Sequence, residues 1–349
     1  MTLKIGINGF GRIGRLTYRS LREKGGARVV AINDLTDSKT LAHLLSYDSI
    51  YGKLPFEVNA GKDHITVNGE KIHTFQEHDP RKIPWGEYGV DVVIESTGIF
   101  RSRAEAAGHL QSGAGRVIVT APMKDPDLTV VMGVNEKKFE PAHHQVVSNA
   151  SCTTNALAPV VKVLHENFGV QKALINTTHA YTNDQRLLDF PHEDLRRARA
   201  AFLSLIPTST GAARAVGEVL PELKGRIDGF AVRVPTPTVS LLDIVALLEK
   251  NVDEAEVNEA LKDAAAEIPH ILAFSDEPLV SMDYRRSPHS SVVDGLSTMV
   301  TGGNMVRVVS WYDNEWSYAC RVVDLALYMR KREQEEMEAV GAGEADKRG

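Results

Sequence analysis

Between Leu3 and Asn149, short β-branched apolar runs alternate with stretches whose apolar residues recur at helical spacing. LKIGIN, RVVAIND, VDVVIESTG, RVIVTAP and QVVSNAS read as strands, and residues 11–23 and 101–112 read as helices. Strands alternating with helices predict βαβ units and a mostly parallel sheet. Within that scheme DHITVNGEKIHTF, residues 63–75, carries Asn68-Gly69 between alternating positions, the signature of a β-hairpin.

Beyond Cys152 the texture changes. Longer β-rich runs at 172–181, 229–249 and 305–313 come with helical patterns near 153–167, 211–219 and 254–266, which predicts a second, α+β domain. The amphipathic stretch Glu315 to Arg330 reads as a helix able to pack back on the first domain. The expected division is therefore 1–150 completed by a helix at about 315–332, a second domain over 151–314, and a charged tail over 333–349. KREQEEMEAVGAGEADKRG, residues 331–349, is expected to fray or lack order because it is charged and rich in Gly and Ala.

Composition narrows the function classes more than the fold. A chain of 349 residues exceeds what one hydrophobic core usually holds, and 43% hydrophobic with 25% charged residues describes an ordinary soluble protein. A formal net charge of -6 argues against a general nucleic-acid binder, a role that needs a basic face. There is no apolar run of about 18 residues, the length a membrane span requires. The N-terminus enters a strand directly, without a basic-then-apolar signal segment. The two cysteines, Cys152 and Cys320, make neither a disulfide framework nor a metal-ligand spacing, so the chain reads as reduced, cytoplasmic and metal-free.

INGFGRIGR places Gly9, Gly11 and Gly14 in a G-x-G-x-x-G array where the first strand meets the first helix. That spacing permits a tight turn, close backbone approach to a pyrophosphate and close helix–strand packing, while the helix start offers N–H groups. Asp34 closes the second strand, where a carboxylate can bind ribose hydroxyls and repel a 2′-phosphate. The pattern points to a dinucleotide, NAD in preference to NADP. A ligand-free glycine turn is the plainer alternative, and the strand, helix and Asp34 together argue against it.

SNASCTTN, residues 148–155, sets Cys152 at the end of a strand and the start of a helix. There the helix dipole and N–H groups favour thiolate, and a lowered thiol pKa is expected. A lone cysteine is more often a small buried hydrophobe, but hydroxyls on both sides point to a reactive one. Ser151, Thr153 and Thr154 suit either helix capping or an anion. His179 ends the apolar strand KALINTT and leads into the polar AYTNDQR; it is the candidate proton acceptor by elimination, against the usual structural role of a strand-end histidine. PTSTGAARAVG, residues 207–217, offers Thr208, Ser209, Thr210 and Gly211 at an expected helix start, a second arrangement suited to phosphate. Arg233 in FAVRVPTP, and Arg196, Arg197 and Arg199 crowded in one segment, have either structural salt bridges or a phosphate as partner.

Taken in order, INGFGRIGR, IND, SNASCTTN, YTNDQRLLD, DLRRARAA, IPTSTGAA, RVPTP and WYDNEW resemble phosphorylating glyceraldehyde-3-phosphate dehydrogenases, from Lys4 to about Arg330. The resemblance implies a Rossmann-type N-terminal dinucleotide-binding domain and an α+β catalytic domain on a mostly antiparallel sheet, assembled as a homotetramer. It implies oxidation of D-glyceraldehyde 3-phosphate to 1,3-bisphosphoglycerate with NAD and inorganic phosphate, in glycolysis or gluconeogenesis. Cys152 would be the nucleophile and His179 the base. Ser151, Thr153, Thr210, Gly211 and Arg197 would hold the attacking phosphate, while Thr182 and Arg233, the arginine supported by Asp184, would hold the substrate's C3 phosphate. Arg12, Ile13, Asp34, Thr120 and Asn314 would contact NAD, Asn314 at the nicotinamide amide.

Several positions depart from the family pattern. His78 stands where arginine or lysine often approaches the adenosine half of NAD, Ala156 replaces a frequent cysteine or serine, and Ala180 a usual serine. Phe190 stands for leucine, and Ser317 and Cys320 for commoner glycine and asparagine. Three other readings compete: a sister dehydrogenase acting on erythrose 4-phosphate, an NADP-preferring biosynthetic form, and a nucleotide-sensing or RNA-binding protein that kept the fold without the chemistry. YTNDQRLLD and Asp34 argue against the first two, and the presence of Cys152 and His179 against the third.

Overall fold

The structure is a computed structural model that describes residues 2–346. The described residues divide into two compact units: one holds residues 2–130, Glu136–Ala150 and 319–346, the other Val131–Asn135 and Ser151–Tyr318.

In the first unit the strands are β1 (Leu3–Asn8), β2 (Ala27–Asn33), β3 (Tyr47–Asp48), β4 (Gly52–Lys53), β5 (Val58–Ala60), β6 (His64–Val67), β7 (Glu70–Phe75), β8 (Val92–Glu95), β9 (Arg116–Val119), β10 (Leu128–Thr129) and β11 (Val146–Ser148). The helices are α1 (Arg12–Lys24), α2 (Ser38–Ser46), α3 (Arg103–Ala106) and α4 (Gly108–Gln111). One sheet runs in the order β10-β11-β9-β8-β1-β2-β7-β6-β5, parallel except at β7-β6-β5. With β1, β2, β7, β8, β9 and β11 as its six principal strands, this is the 3-2-1-4-5-6 order of a doubly wound dinucleotide fold. Ligands bind such sheets outside the carboxyl ends of the strands flanking the point of reversal. Here those strands are β1 and β8, whose last residues, Asn8 and Glu95, are register partners. Ile5, Ile7, Ile32, Val93, Ile94, Val117 and Ile118 are buried, adjacent positions included, as in a sheet covered on both faces.

The expected hairpin is β6–β7, with Asn68 and Gly69 at φ of 50° and 81°. Residues 38–46 form α2, capped by Asp37, where the sequence reading had no helix. The expected helix over 101–112 is two short ones, the first held by a Ser102–Glu105 capping box.

The second unit contains α5 (Cys152–Phe168), β12 (Val170–Ala180), β13 (Ile206–Ser209), α6 (Ala212–Val219), β14 (Ile227–Val234), β15 (Ser240–Leu248), α7 (Glu254–Glu267), β16 (Leu272–Ser275), β17 (Ser291–Thr301) and β18 (Met305–Tyr312). Its sheet runs β13-β14-β12-β15-β18-β17-β16, antiparallel except at β14–β12 and β17–β16. The single run read at 229–249 is broken into β14 and β15, because Pro235 and Pro237 have no N–H for a ladder and Val239 adopts φ 65°. Helix α5 packs on one face of this sheet. On the other, Leu174 beside Val245 and Leu247 beside Met305 remain exposed.

Helix α8 (Trp316–Asp346) belongs to the first unit from Ala319 on. It corrects the expectation of a frayed tail from residue 331. Lys331–Glu335, Arg330–Glu333 and Arg332–Glu335 pair at helical spacing, and Arg116 binds Glu333, so a segment rich in strong helix formers continues the helix. Residues 347–349 of that expected tail lie outside the described residues. Among the described residues no helix is long and apolar enough to cross a membrane.

Candidate active site

The turn between β1 and α1 uses its glycines in different ways. Gly9 has φ 86°, and a Cβ there would lie 2.7 Å from Thr97 N; at Gly14 it would lie 2.3 Å from Gly9 O. At Gly11 a Cβ would meet nothing within 4 Å, so bare backbone faces open space. A side chain would fill that cradle, whereas a pyrophosphate needs it open, so the turn fits NAD. The adjoining cleft, ≈ 290 Å³, is lined by Asn8, Gly11, Asn33, Asp34, His78 and Thr97 among others, a size suited to one half of a dinucleotide.

Asp34 Oδ2 accepts from Phe10 N at 2.7 Å and Oδ1 from Thr36 N at 3.0 Å, which leaves a lone pair on each oxygen for ribose hydroxyls. His78 is exposed at the rim. The Arg12 guanidinium is committed to Asp48 at 2.6 Å and lies over the Tyr51 ring, so what Arg12 and Ile13 offer a pyrophosphate is the backbone of the first helical turn. Thr120 follows β9 and its N–H binds Glu95 O at 2.9 Å.

In the second unit Ser151 caps α5, its Oγ accepting from Thr154 N at 3.0 Å, and Cys152 is the first helical residue. Ala150, just before the cap, takes the left-handed φ of 54°, a strain that turns the chain sharply into the helix. His179 shares the inner face of β12 with Thr177, Ile175 and Ala173, as a period of two requires. These two local devices bring Cys152 Sγ within 3.6 Å of His179 Nε2. Parallel pairing of β12 with β14 sets Arg233 opposite His179.

His179 Nδ1 lies 2.7 Å from Ala180 O and 2.6 Å from Arg233 Nη1. Protonated at Nδ1, the ring donates to Ala180 O and leaves Nε2 to accept from the thiol. Unprotonated there, it accepts from Arg233 and turns an Nε2–H toward sulfur. Arg233 Nη1 also reaches Ala180 O at 3.1 Å, so the arginine is satisfied either way at that nitrogen. Burial pushes the His179 pKa down to about 3, with the Arg233 charge acting in the same direction. The helix start is expected to lower the Cys152 pKa, but burial is the larger influence and pushes it up, against Arg233 and the Thr153 hydroxyl. The resting pair is a thiol and a neutral imidazole.

The remaining anion-site candidates each have an identifiable partner or position. Thr153 Oγ1 is turned inward onto Tyr312 OH at 2.9 Å, and Thr210 Oγ1 accepts from Ala212 N at 3.2 Å beside the α6 cap, Gly211. Arg197 donates to Thr208 Oγ1 at 2.6 and 2.8 Å and to Asp184 Oδ2 at 2.5 Å. Asp184 therefore pairs with Arg197, whereas the family resemblance implies that it supports Arg233. Burial raises the Asp184 pKa, but its bonds to Arg197 and His192 outweigh that and lower it. Thr182 lies in the loop after β12, its N–H on Gln185 Oε1 at 3.3 Å. Arg233 Nε is buried with no hydrogen-bond partner, a donor poised for an anion. Thr208 and Ser209 end strand β13, and the helix begins only at Ala212.

Two family models match this chain: the glyceraldehyde 3-phosphate dehydrogenase NAD binding domain over residues 3–103, and the C-terminal domain of the same enzyme over 151–314. A glyceraldehyde-3-phosphate dehydrogenase of Geobacillus stearothermophilus is 59% identical over 333 residues, 95% of this chain and 99% of the relative. The chain belongs to the glyceraldehyde-3-phosphate dehydrogenase family. Similar proteins of that name from Streptomyces coelicolor and Mycobacterium avium are 54% and 52% identical, over 94% and 95% of this chain and 99% of each relative.

Against the family pattern, each departure now has surroundings. Ala156 is a core residue of α5. Ala180 N donates to Ser240 Oγ at 3.1 Å, and Ser240 Oγ in turn donates to Asn314 Oδ1 at 3.0 Å, so the Asn314 amide nitrogen is turned the other way. Ser317 Oγ binds Asp313 O at 2.8 Å at the start of α8. Cys320 is buried against Ser20 Oγ at 3.4 Å, and burial pushes its thiol pKa up. Phe190 is exposed and stacks with Arg186. Sequence reasoning missed Tyr312, whose hydroxyl bridges Thr153 and Thr177 at 2.9 and 3.0 Å while its ring meets His179 edge-on at 6.0 Å. The signal was the tyrosine of WYDNEW at the end of an apolar strand.

Proposed function

We propose that this chain is a phosphorylating, NAD-dependent dehydrogenase that converts D-glyceraldehyde 3-phosphate and inorganic phosphate to 1,3-bisphosphoglycerate. The observation that carries this reading is the 3.6 Å approach of Cys152 Sγ to His179 Nε2, next to the buried, unpartnered Nε of Arg233. Sγ adds to the aldehyde carbon, and its proton passes to the carbonyl oxygen by way of His179, giving a thiohemiacetal. His179 Nε2 then removes the hydroxyl proton as the carbon is oxidised, leaving an acyl-thioester on Sγ. NAD, when bound, supplies the two-electron acceptor for that oxidation. A phosphate oxygen attacks the thioester carbonyl, the C–S bond breaks, and Cys152 leaves as thiolate with an acyl phosphate formed.

Arg233 and Thr182 would hold the substrate's C3 phosphate; Ser151, Thr153, Arg197 with its partner Asp184, Thr210 and Gly211 would hold the attacking one. Hydroxyls, helix-start N–H groups and guanidinium groups are the donors phosphate requires, which supports both assignments. The Gly9–Gly14 turn, Arg12, Ile13, Asp34, His78 and Thr120 would hold NAD, and Asn314 its nicotinamide amide. The free cysteines support a cytoplasmic site of action. Exposed Leu187, Leu188, Phe190, Leu195 and Leu203, with the bare sheet face at Leu174, support association of this chain with copies of itself as a homotetramer, a state that light scattering tests directly.

Phosphate dependence tests the whole reading at once. Purified enzyme should form NADH from glyceraldehyde 3-phosphate in multiple turnovers only when inorganic phosphate is present. Sustained NADH formation without phosphate, or a higher kcat/KM with erythrose 4-phosphate or NADP, overturns it.

A further inference from the structure

Beneath the dinucleotide cleft lies a chain of buried polar side chains that the reaction does not use. Trp85 Nε1 donates to His109 Nδ1 at 3.0 Å, and His109 Nε2 lies 3.0 Å from Glu95 Oε2. An indole N–H only donates, so Nδ1 is the acceptor and the ring proton sits on Nε2, aimed at Glu95. Asn8 Nδ2 donates to the same oxygen at 2.5 Å, while Thr97 N, at 2.8 Å, and Thr97 Oγ1 both bind Glu95 Oε1. Four donors thus converge on two oxygens, the acceptor-only set of a carboxylate. Trp85, His109, Glu95 and Asn8 are at most 2% exposed.

The direction of the chain follows from its two ends. Because Glu95 accepts, Asn8 must present its nitrogen to it, which leaves Asn8 Oδ1 to accept from Asn33 Nδ2 at 2.8 Å. Asn33 Oδ1 then accepts from Glu77 N at 2.8 Å. Either amide, flipped, would set donor against donor. Asn8, Asn33, Glu77 and Thr97 all line the cleft. The segment Glu95 holds at Ser96–Thr97 is also the surface against which the glycine turn packs, with Ser96 Oγ donating to Gly9 O at 2.7 Å.

We propose that Glu95 is a positioning residue for the dinucleotide, fixing through Thr97, Asn8 and Asn33 one arrangement of the cleft floor before the cofactor arrives. Ordering these groups in advance removes a cost that binding would otherwise bear. The proposal rests on reading this cleft as the NAD site. Glu95 touches no reacting atom, and its effect belongs on cofactor affinity.

Glu95→Gln tests it with almost no change of volume, because an amide can no longer accept from all four donors. Titration calorimetry of substrate-free enzyme should show the Kd for NAD raised about tenfold, with KM for NAD rising in step and more than kcat falls. The alkylation rate of Cys152 in NAD-free enzyme should not move. A parent that binds NAD while the variant's Kd stays within about twofold overturns the positioning role and leaves the dehydrogenase reading standing; a parent that fails to bind NAD overturns both. A second measurement needs no variant. In NAD-free parent, the side-chain amides of Asn8 and Asn33 should each give one pair of slowly exchanging NMR signals, and two conformers or rapid exchange there overturn the proposal.

Discussion

His109 and His179 are both buried histidines with partners at both ring nitrogens, one in each unit, but the partners differ in kind. His109 lies between a group that only donates and a group that here only accepts, so one tautomer satisfies it. His179 lies between a thiol and a locus where a carbonyl and a guanidinium converge, and either tautomer finds a partner. The lesson concerns mobility of a proton. A ring that must hold a cleft in place is bounded by groups of fixed role, whereas a ring that must take and return protons needs neighbours that tolerate both states.

The largest effects fall where the proton moves. Cys152→Ser should cut turnover by about 10⁴-fold or more and leave the Kd for NAD nearly intact, since Cys152 is not among the residues assigned to hold the cofactor and serine changes its volume little; substantial residual turnover by the purified variant would refute the nucleophile. His179→Asn should lower kcat by about 10²–10⁴-fold and slow alkylation of Cys152 near neutral pH. An unchanged alkylation rate in that variant would show that the ring does not receive the thiol proton, and the contrast between the two histidines would lose its functional half.

What the sequence reveals of these sites is what lies in one local stretch. The glycine turn, Asp34 and the strand-to-helix position of Cys152 each read from a few consecutive residues, because backbone conformation there depends on those residues alone. The cleft's foundation does not: Trp85, Glu95 and His109 meet only because parallel register sets Asn8 beside Glu95 and because α4 brings a histidine under the sheet. Asp184 chose Arg197 over Arg233 for the same reason, a partner decided by loop geometry. The expected fall in the Cys152 pKa reasoned from the helix start without the burial that opposes it. At the C-terminus, composition suggested disorder, while spacing of opposite charges allowed the helix to continue.

A third prediction concerns pH and stability. The folded His179 pKa of about 3 lies below the ordinary value of 6.5, so in the interval between them the unfolded chain binds a proton that the folded one does not. Stability contributed by keeping this ring neutral is full above pH 6.5 and declines as pH falls, by about 2 kcal/mol at pH 5. Thermal unfolding at pH 7 and pH 5 should therefore show a smaller drop for His179→Asn than for the parent. Equal drops would mean the ring is not held neutral in the fold.

The smallest effect is the most direct probe of the comparison. Trp85→Phe removes the donor-only end of the buried chain and keeps an aromatic ring, so His109 Nδ1 loses the partner that forbids it a proton. Nothing at Nδ1 then opposes a proton there, and only the hydrogen bond from Nε2–H to Glu95 still favours the parent tautomer. Because Glu95 keeps Asn8 and both Thr97 donors, the cleft should loosen only slightly, with the Kd for NAD rising about two- to fivefold, equivalent to about 0.5–1 kcal/mol. The decisive readout is the His109 ring nitrogens: in the parent Nδ1 should show the ¹⁵N shift of an unprotonated nitrogen, and in the variant an average of two states. An unmoved Nδ1 shift would mean that Glu95 alone fixes the ring, and that the tryptophan contributes packing rather than direction.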